Sequence, residues 1–173
     1  MTRTKKKYIV PVKKQDIKLV ISDPNAHNDF LQHAIDFLLP EGTEIIAACD
    51  GKVIDVKIDS NEGGLEEKYQ GNKFLNYITI EHENEELSQY AHLKFDGACV
   101  KIGQKVKAGD LIGYSGNTGF TSAPHLHFHV CIINNSEIGW KTLEIQFSEP
   151  LKVIRTESDL TEDDKKLLQE MSK

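Results

Sequence analysis

A mostly β fold is predicted for this chain of 173 residues by three observations. Apolar residues recur at every second position over short runs. Those runs are separated by Gly, Asn and Asp turn signals. A helical period of 3.6 is missing until the C-terminus. The length suits one domain able to bury a proper core. A hydrophobic fraction of 39% with mean hydropathy −0.42 fits a globular chain, and no stretch approaches transmembrane length.

Taken in order, residues 1–24 read as an N-terminal arm and first strand. The basic run from Arg3 to Lys7, with Lys13 and Lys14, is expected to be solvated. Glu44 to Cys49 and Lys52 to Ile58 read as a hairpin around Asp50-Gly51. Asp59 to Lys73, with Gly63-Gly64, is polar and reads as a loop. Phe74 to Glu81 follows as a strand with Ile78 and Ile80 in phase, then a polar turn and a return strand, Leu87 to Leu93. Glycines crowd between Gly97 and Gly119, which suits tight turns between very short strands. Asn134 to Lys141 reads as a loop, and Thr142 to Phe147 as a last strand. Thr161-Glu162-Asp163-Asp164, then Lys165 to Leu168, predicts a capped helix with acid at its start. That helix, within residues 156–173, is expected to be an appendage to the domain.

A net charge of −6 and a pI near 5.6 give no basic field for nucleic acid. The apolar piece after the basic run, Tyr8 to Val12, is short and holds Pro11, so no secretory signal is visible. Cys49, Cys99 and Cys131 are odd in number and lack CxxC spacing. They are expected to be small buried hydrophobes in a reducing compartment, not a disulfide framework.

The chemistry concentrates in Pro124-His125-Leu126-His127-Phe128-His129-Val130. On a β-strand, Leu126, Phe128, Val130 and Ile132 face a core, while His125, His127 and His129 line the other face. Several imidazoles on one face suit metal binding or proton transfer. Two other segments carry similar chemistry: His27 to Asp36, and Tyr90-Ala91-His92-Leu93. Between the last two lie Val106-Lys107-Ala108-Gly109-Asp110-Leu111-Ile112-Gly113 and Ser115-Gly116-Asn117-Thr118-Gly119.

This ordered set, with Ile35-Asp36-Phe37, Pro40-Glu41-Gly42-Thr43 and Asp50-Gly51-Lys52-Val53, resembles the lysostaphin/LytM-type zinc metallopeptidases, which cut peptide cross-links in bacterial cell walls. The resemblance spans about residues 25–133. It implies a compact antiparallel sheet or sandwich core of the duplicated-hybrid-motif kind, with a groove walled by loops, and a peptidase domain over residues 25–155. It implies Zn2+ as cofactor and a peptide or peptidoglycan substrate. The family is usually secreted or envelope-located, whereas the visible sequence suits the cytoplasm.

The resemblance also assigns residues. His127 and Asp36 correspond to zinc ligands, and His125 and His92 to catalytic histidines. The first ligand departs from the commoner H-x-x-x-D pattern, because Gln32 stands four before Asp36. His33 lies three before it, an odd offset that puts it on the opposite face of an extended strand. His27 is preferred, in a loop ahead of the strand, as some relatives place it; His33 is the alternative and Gln32 a distant third. His27, Asp36 and His127 give the three His/Asp ligands usual for catalytic zinc, with a fourth position open. No HExxH helix competes.

The remaining histidines read otherwise. His82 is expected to be structural, and His129 to support a ligand or face substrate. Two further classes stand beside the enzyme: a non-catalytic wall- or partner-binding relative, and a carrier domain suggested by Gln104 to Gly113. The carrier needs a modified lysine at a hairpin tip, and none is found.

Overall fold

The computed structural model describes residues 3–27, 29–134 and 139–171. Strands β1 (Arg3–Tyr8), β2 (Leu19–Ile21), β3 (Ile35–Leu38), β4 (Glu44–Ile46) and β5 (Gly51–Lys57) open the chain. They are followed by β6 (Gly63–Gly64), β7 (Tyr77–Glu81), β8 (Glu86–Ala91), β9 (Leu93–Ala98) and β10 (Lys105–Val106). Strands β11 (Leu111–Ser115), β12 (Gly119–Phe120), β13 (His125–Ile133), β14 (Trp140–Thr142) and β15 (Glu144–Phe147) complete the set, before helix α1 (Glu162–Met171).

The main sheet runs β10-β5-β7-β8-β13-β3-β2, with β14 also paired to β13, and every pairing in it is antiparallel. Strand β8 occupies one edge of β13. Strands β3 and β14 therefore share the other edge, end to end, β3 against His125–Phe128 and β14 against Cys131–Ile133. A second antiparallel sheet, β4-β11-β9, supplies the opposing layer. Phe37, Leu39, Ile45, Ile78, Ile80, Tyr90, Leu93, Ile112, Leu126, Phe128 and Val130 form one buried cluster drawn from both sheets. Alternation along β13 thus sends Leu126, Phe128 and Val130 inward, as its sequence predicts, and leaves the histidine face outside the sandwich.

Several expectations need correction. Strands β4 and β5 are not a hairpin: β4 pairs with β11, whereas β5 pairs with β7 and β10. The Asp50-Gly51 signal marks a crossing between sheets. Gly51 is required there because a Cβ would stand 2.4 Å from the Glu81 carbonyl oxygen. The basic run from Arg3 to Lys7 is not an arm but part of strand β1, parallel to β15; Thr4 and Tyr8 are buried, while Arg3, Lys5 and Lys7 are exposed to solvent as expected. Glu86, itself buried, accepts hydrogen bonds from the Lys5 N–H and, at 2.9 Å, from the Tyr8 hydroxyl. Trp140 and Lys141, expected in a loop, belong with Thr142 to strand β14. Of the cysteines only Cys131 is buried; Cys49 is half-buried and Cys99 exposed.

Helix α1 begins as its sequence predicts. Thr161 Oγ1 accepts from the Asp164 N–H at 3.2 Å, and Asp164 Oδ2 accepts from the Thr161 N–H at 2.9 Å, a reciprocal cap. Leu160, Leu167 and Leu168 rest on buried Leu19, Leu38 and Ile154. Ile154 also bonds through its backbone to Val20 and Ser22, which covers the β2 edge.

His82 is structural, as expected. It is buried, with Nδ1 2.8 Å from the Asp50 carbonyl and Nε2 2.7 Å from Ser88 Oγ. The carbonyl can only accept, so Nδ1 carries the proton and a neutral ring leaves Nε2 to accept from Ser88. Burial lowers the His82 pKa from 6.5. As pH falls below that value the unfolded chain binds the proton first, so this contribution to stability is complete above 6.5 and is lost on acidification. Denaturant midpoints of metal-free protein at pH 7.5 and 5.5 check this: wild type is expected to lose more stability than His82→Gln, and equal losses would contradict it.

Candidate active site

The outer face of the main sheet forms the floor of a groove of about 600 Å³. Asp36 on β3 is the direct cross-strand partner of His127 on β13, so the ladder itself sets their side chains together. His27 reaches the same point from a loop. Asp23 builds that loop's turn: its carboxylate accepts from the Asn25 N–H at 2.8 Å, and its carbonyl from the His27 N–H at 2.8 Å. Asp in this position stabilises such a turn locally.

Three imidazoles surround the Asp36 carboxylate. His27 Nε2 stands 3.2 Å from Oδ2, His127 Nδ1 3.0 Å from Oδ1, and His125 Nε2 3.7 Å from Oδ1. Burial opposes ionisation of Asp36, yet hydrogen bonds with His127 and His27 and the charges of His125 and His127 hold its carboxyl well below 3.8. Ligand atoms of His27, Asp36 and His127 all lie within 4.8 Å of one another. Donors about 2.0–2.1 Å from a tetrahedral zinc ion stand about 3.3–3.4 Å apart. The close approach and the donor types, two imidazoles and one carboxylate, therefore fit a divalent transition metal.

The expected partners of that trio are next to it. His92 stands alone between β8 and β9, where the chain leaves the main sheet for the smaller one, and its φ of +61° makes that corner. A β-region conformation would continue the strand; the left-handed one redirects it, at a cost of about 1–3 kcal/mol. Its Nδ1 lies 2.6 Å from the Thr118 carbonyl, and His125 Nδ1 lies 2.8 Å from the Ala123 carbonyl. Carbonyls only accept, so both Nδ1 atoms carry a proton, which fixes the direction of each ring. The two rings are 4.4 Å apart between centroids. Burial, then the charges of His125 and His127, push the His92 pKa down to about 3, so His92 stays neutral.

His33 is not part of this group. It lines a different cavity with Ile35, Glu144 and Arg155. His129 is buried beside the trio, its Nδ1 3.3 Å from His127 Nε2. Two neighbours were missed from sequence. The Thr118 carbonyl holds His92, although Thr118 reads as a turn residue, and Trp140 stacks on His129 from a segment that reads as a loop. A backbone acceptor leaves no trace in residue identity.

Comparison with known proteins places this architecture. The profile described as "Peptidase family M23" matches residues 31–138, more than half of the chain. The chain belongs to peptidase family M23. Among curated M23-like relatives, an uncharacterized metalloprotease of Buchnera aphidicola is 37% identical over 139 residues, 75% of this chain and 33% of that protein. Lysostaphin of Staphylococcus simulans is 38% identical over 106 residues, covering 61% of this chain and 19% of that protein. The peptidoglycan DD-endopeptidase ShyA of Vibrio cholerae is 37% identical over 97 residues, 56% and 19%. The chain thus spans about a fifth to a third of the length of these relatives. The fold resembles the lysostaphin catalytic domain from Staphylococcus simulans, at TM-score 0.50 and 26% identity over 82% of this chain and 88% of that one. It also resembles Helicobacter pylori Csd3, at TM-score 0.51 and 27% identity over 95% and 38%. The M23 match begins at residue 31 and so does not include His27, whose place in the site rests on the geometry alone.

Proposed function

We propose that this M23 chain is a zinc-dependent endopeptidase that hydrolyses peptide bonds in peptidoglycan stem or cross-bridge peptides. One observation carries the proposal: the donors of His27, Asp36 and His127 converge on a point beside two further imidazoles, His92 and His125, each oriented through Nδ1 by a backbone carbonyl. Metalloprotease and peptidoglycan endopeptidase relatives support the same class of reaction.

In this proposal His27, Asp36 and His127 hold the ion. Bound zinc would supply Lewis acidity, acidifying water toward a pKa of about 7 and polarising the scissile carbonyl. The protein's own groups do the rest. His92, fixed as the Nδ1–H tautomer by Thr118, accepts the proton of the attacking water at Nε2. The His125 ring, anchored by Ala123, is close enough to His92 to share that proton and to donate from Nε2 to the developing oxyanion or the leaving amine. The loops at residues 59–73 and 116–123, together with Phe30 and Trp140, bound the peptide-binding groove. A non-catalytic wall-binding relative would keep the fold without this pair of oriented imidazoles.

The test is release of soluble fragments from purified peptidoglycan. Release is expected for wild-type protein, its loss on exhaustive chelation, and its return with stoichiometric zinc. Sedimentation with the wall without any zinc-dependent release would favour the binding module instead.

A further inference from the structure

His27 is held in an unusual way for a proposed ligand. A metal-binding histidine almost always donates its second ring nitrogen to a fixed acceptor, which sets the ring's direction. His27 Nδ1 is buried and has no hydrogen-bond partner among the described residues. The loop that carries it has no strand of its own next to β3, so its aim must come from whatever holds the backbone.

Strand β14 touches that loop at two points. Thr142 Oγ1, on a buried residue, donates to the Phe30 carbonyl at 2.9 Å and accepts from the His33 N–H at 3.3 Å. Trp140 receives the Phe30 ring edge-on, with centroids 5.0 Å apart and planes at 78°. On its other side Trp140 stacks on His129, at 5.3 Å and 7°. His129 Nδ1 in turn meets His127 Nε2, and the His127 ring packs against His27 at 5.1 Å. The contacts run in a circuit: His27 to His127 to His129 to Trp140 to Phe30, which stands three positions after His27 in the sequence.

We propose that β14, through Trp140 and Thr142, is a brace that fixes the spacing of the His27 and His127 imidazoles, with His129 as the contact that fixes the His127 ring. The inference rests on the reading of His27 and His127 as zinc ligands. Trp140, Thr142 and His129 are positioning residues, since none is needed as a ligand. The brace takes the place of an outer partner on His27 Nδ1, which has none among the described residues. It also gives a histidine nine positions before Asp36, and off the strand, a route by which its ring is kept in place.

Zinc itself is the probe, its dissociation constant measured by competition with a chromophoric chelator. Trp140→Leu is expected to weaken zinc binding about 10–100-fold, the range typical for loss of an outer contact. Thr142→Val, which keeps the volume and loses the hydroxyl, is expected to weaken it several-fold. Trp140→Phe, which keeps a ring in the circuit, is expected to recover most of the affinity. The metal-free melting temperature should fall modestly in Thr142→Val, which leaves the Phe30 carbonyl and the His33 N–H without that partner. It should stay near wild type in Trp140→Phe, the loss of affinity in each exceeding what its loss of stability accounts for. Folded Thr142→Val and Trp140→Leu proteins with wild-type affinity would overturn the brace, as would losses of affinity that merely track losses of metal-free stability. If Trp140→Leu does not fold, Thr142→Val decides by the same criterion. A wild type that binds no zinc would instead overturn the function proposed above, and the brace with it.

Discussion

His125→Ala is expected to keep its full zinc content while kcat/KM on cell-wall substrate falls by about 10²–10⁴, the usual contribution of a positioned proton-transfer group. The geometry gives the reason. His125 is oriented by the Ala123 carbonyl and lies near Thr121 Oγ1, and is not held by the trio proposed to bind the metal. Its Nε2 is the most distant of the three imidazole nitrogens around Asp36, at 3.7 Å. Most of the loss should fall in kcat, because the ring serves the transition state more than the bound peptide. Metal content and steady-state rates measured on the same preparation check this. Loss of zinc together with activity would make His125 a ligand and would require a different division of roles.

Asp36→Asn is expected to have the opposite signature. It keeps the size of the side chain and removes its charge, so zinc affinity should fall by more than the roughly 10–100-fold cost of losing an outer contact. Activity should vanish at ordinary zinc concentrations. In the absence of metal the same carboxylate is what His27 and His127 bond to. The amide can satisfy one of them as acceptor, while its NH2 end must face the other. The cost to metal-free stability should therefore be modest, about 1–3 kcal/mol for one poorly satisfied buried group. Chelator competition and denaturant melts separate the two effects. A variant that binds zinc like wild type would remove Asp36 from the ligand set.

The two substitutions bear on different layers of what the sequence reveals. The β13 strand is legible because alternation is a local property: Leu126, Phe128 and Val130 must share one face and His127 and His129 the other, whatever lies nearby. The capped start of α1 is local too. Which strands become neighbours is not. Glu44–Ile46 and Gly51–Lys57 flank a good hairpin signal, yet they belong to different sheets, since Gly51 answers to the backbone of β7. Cys99 sits among apolar residues in sequence and still lies exposed, just past the end of β9, because tertiary packing, not sequence neighbours, decides what covers it. The site was legible as a constellation of residue types in order. The Thr118 and Ala123 carbonyls that set the histidine tautomers were not, and neither was Trp140, whose role depends on β14 continuing the line of β3 along β13.

The odd spacing before Asp36 is where sequence and structure meet most closely. His33 has the nearer position in the chain but lines the cavity of Glu144 and Arg155, whereas His27 arrives at the carboxylate through the Asp23 turn. The decisive measurement is the zinc content, per chain, of wild type, His27→Ala and His33→Ala. One zinc in wild type and His33→Ala, with none in His27→Ala, is the predicted result. Zinc retained by His27→Ala and lost by His33→Ala would contradict it.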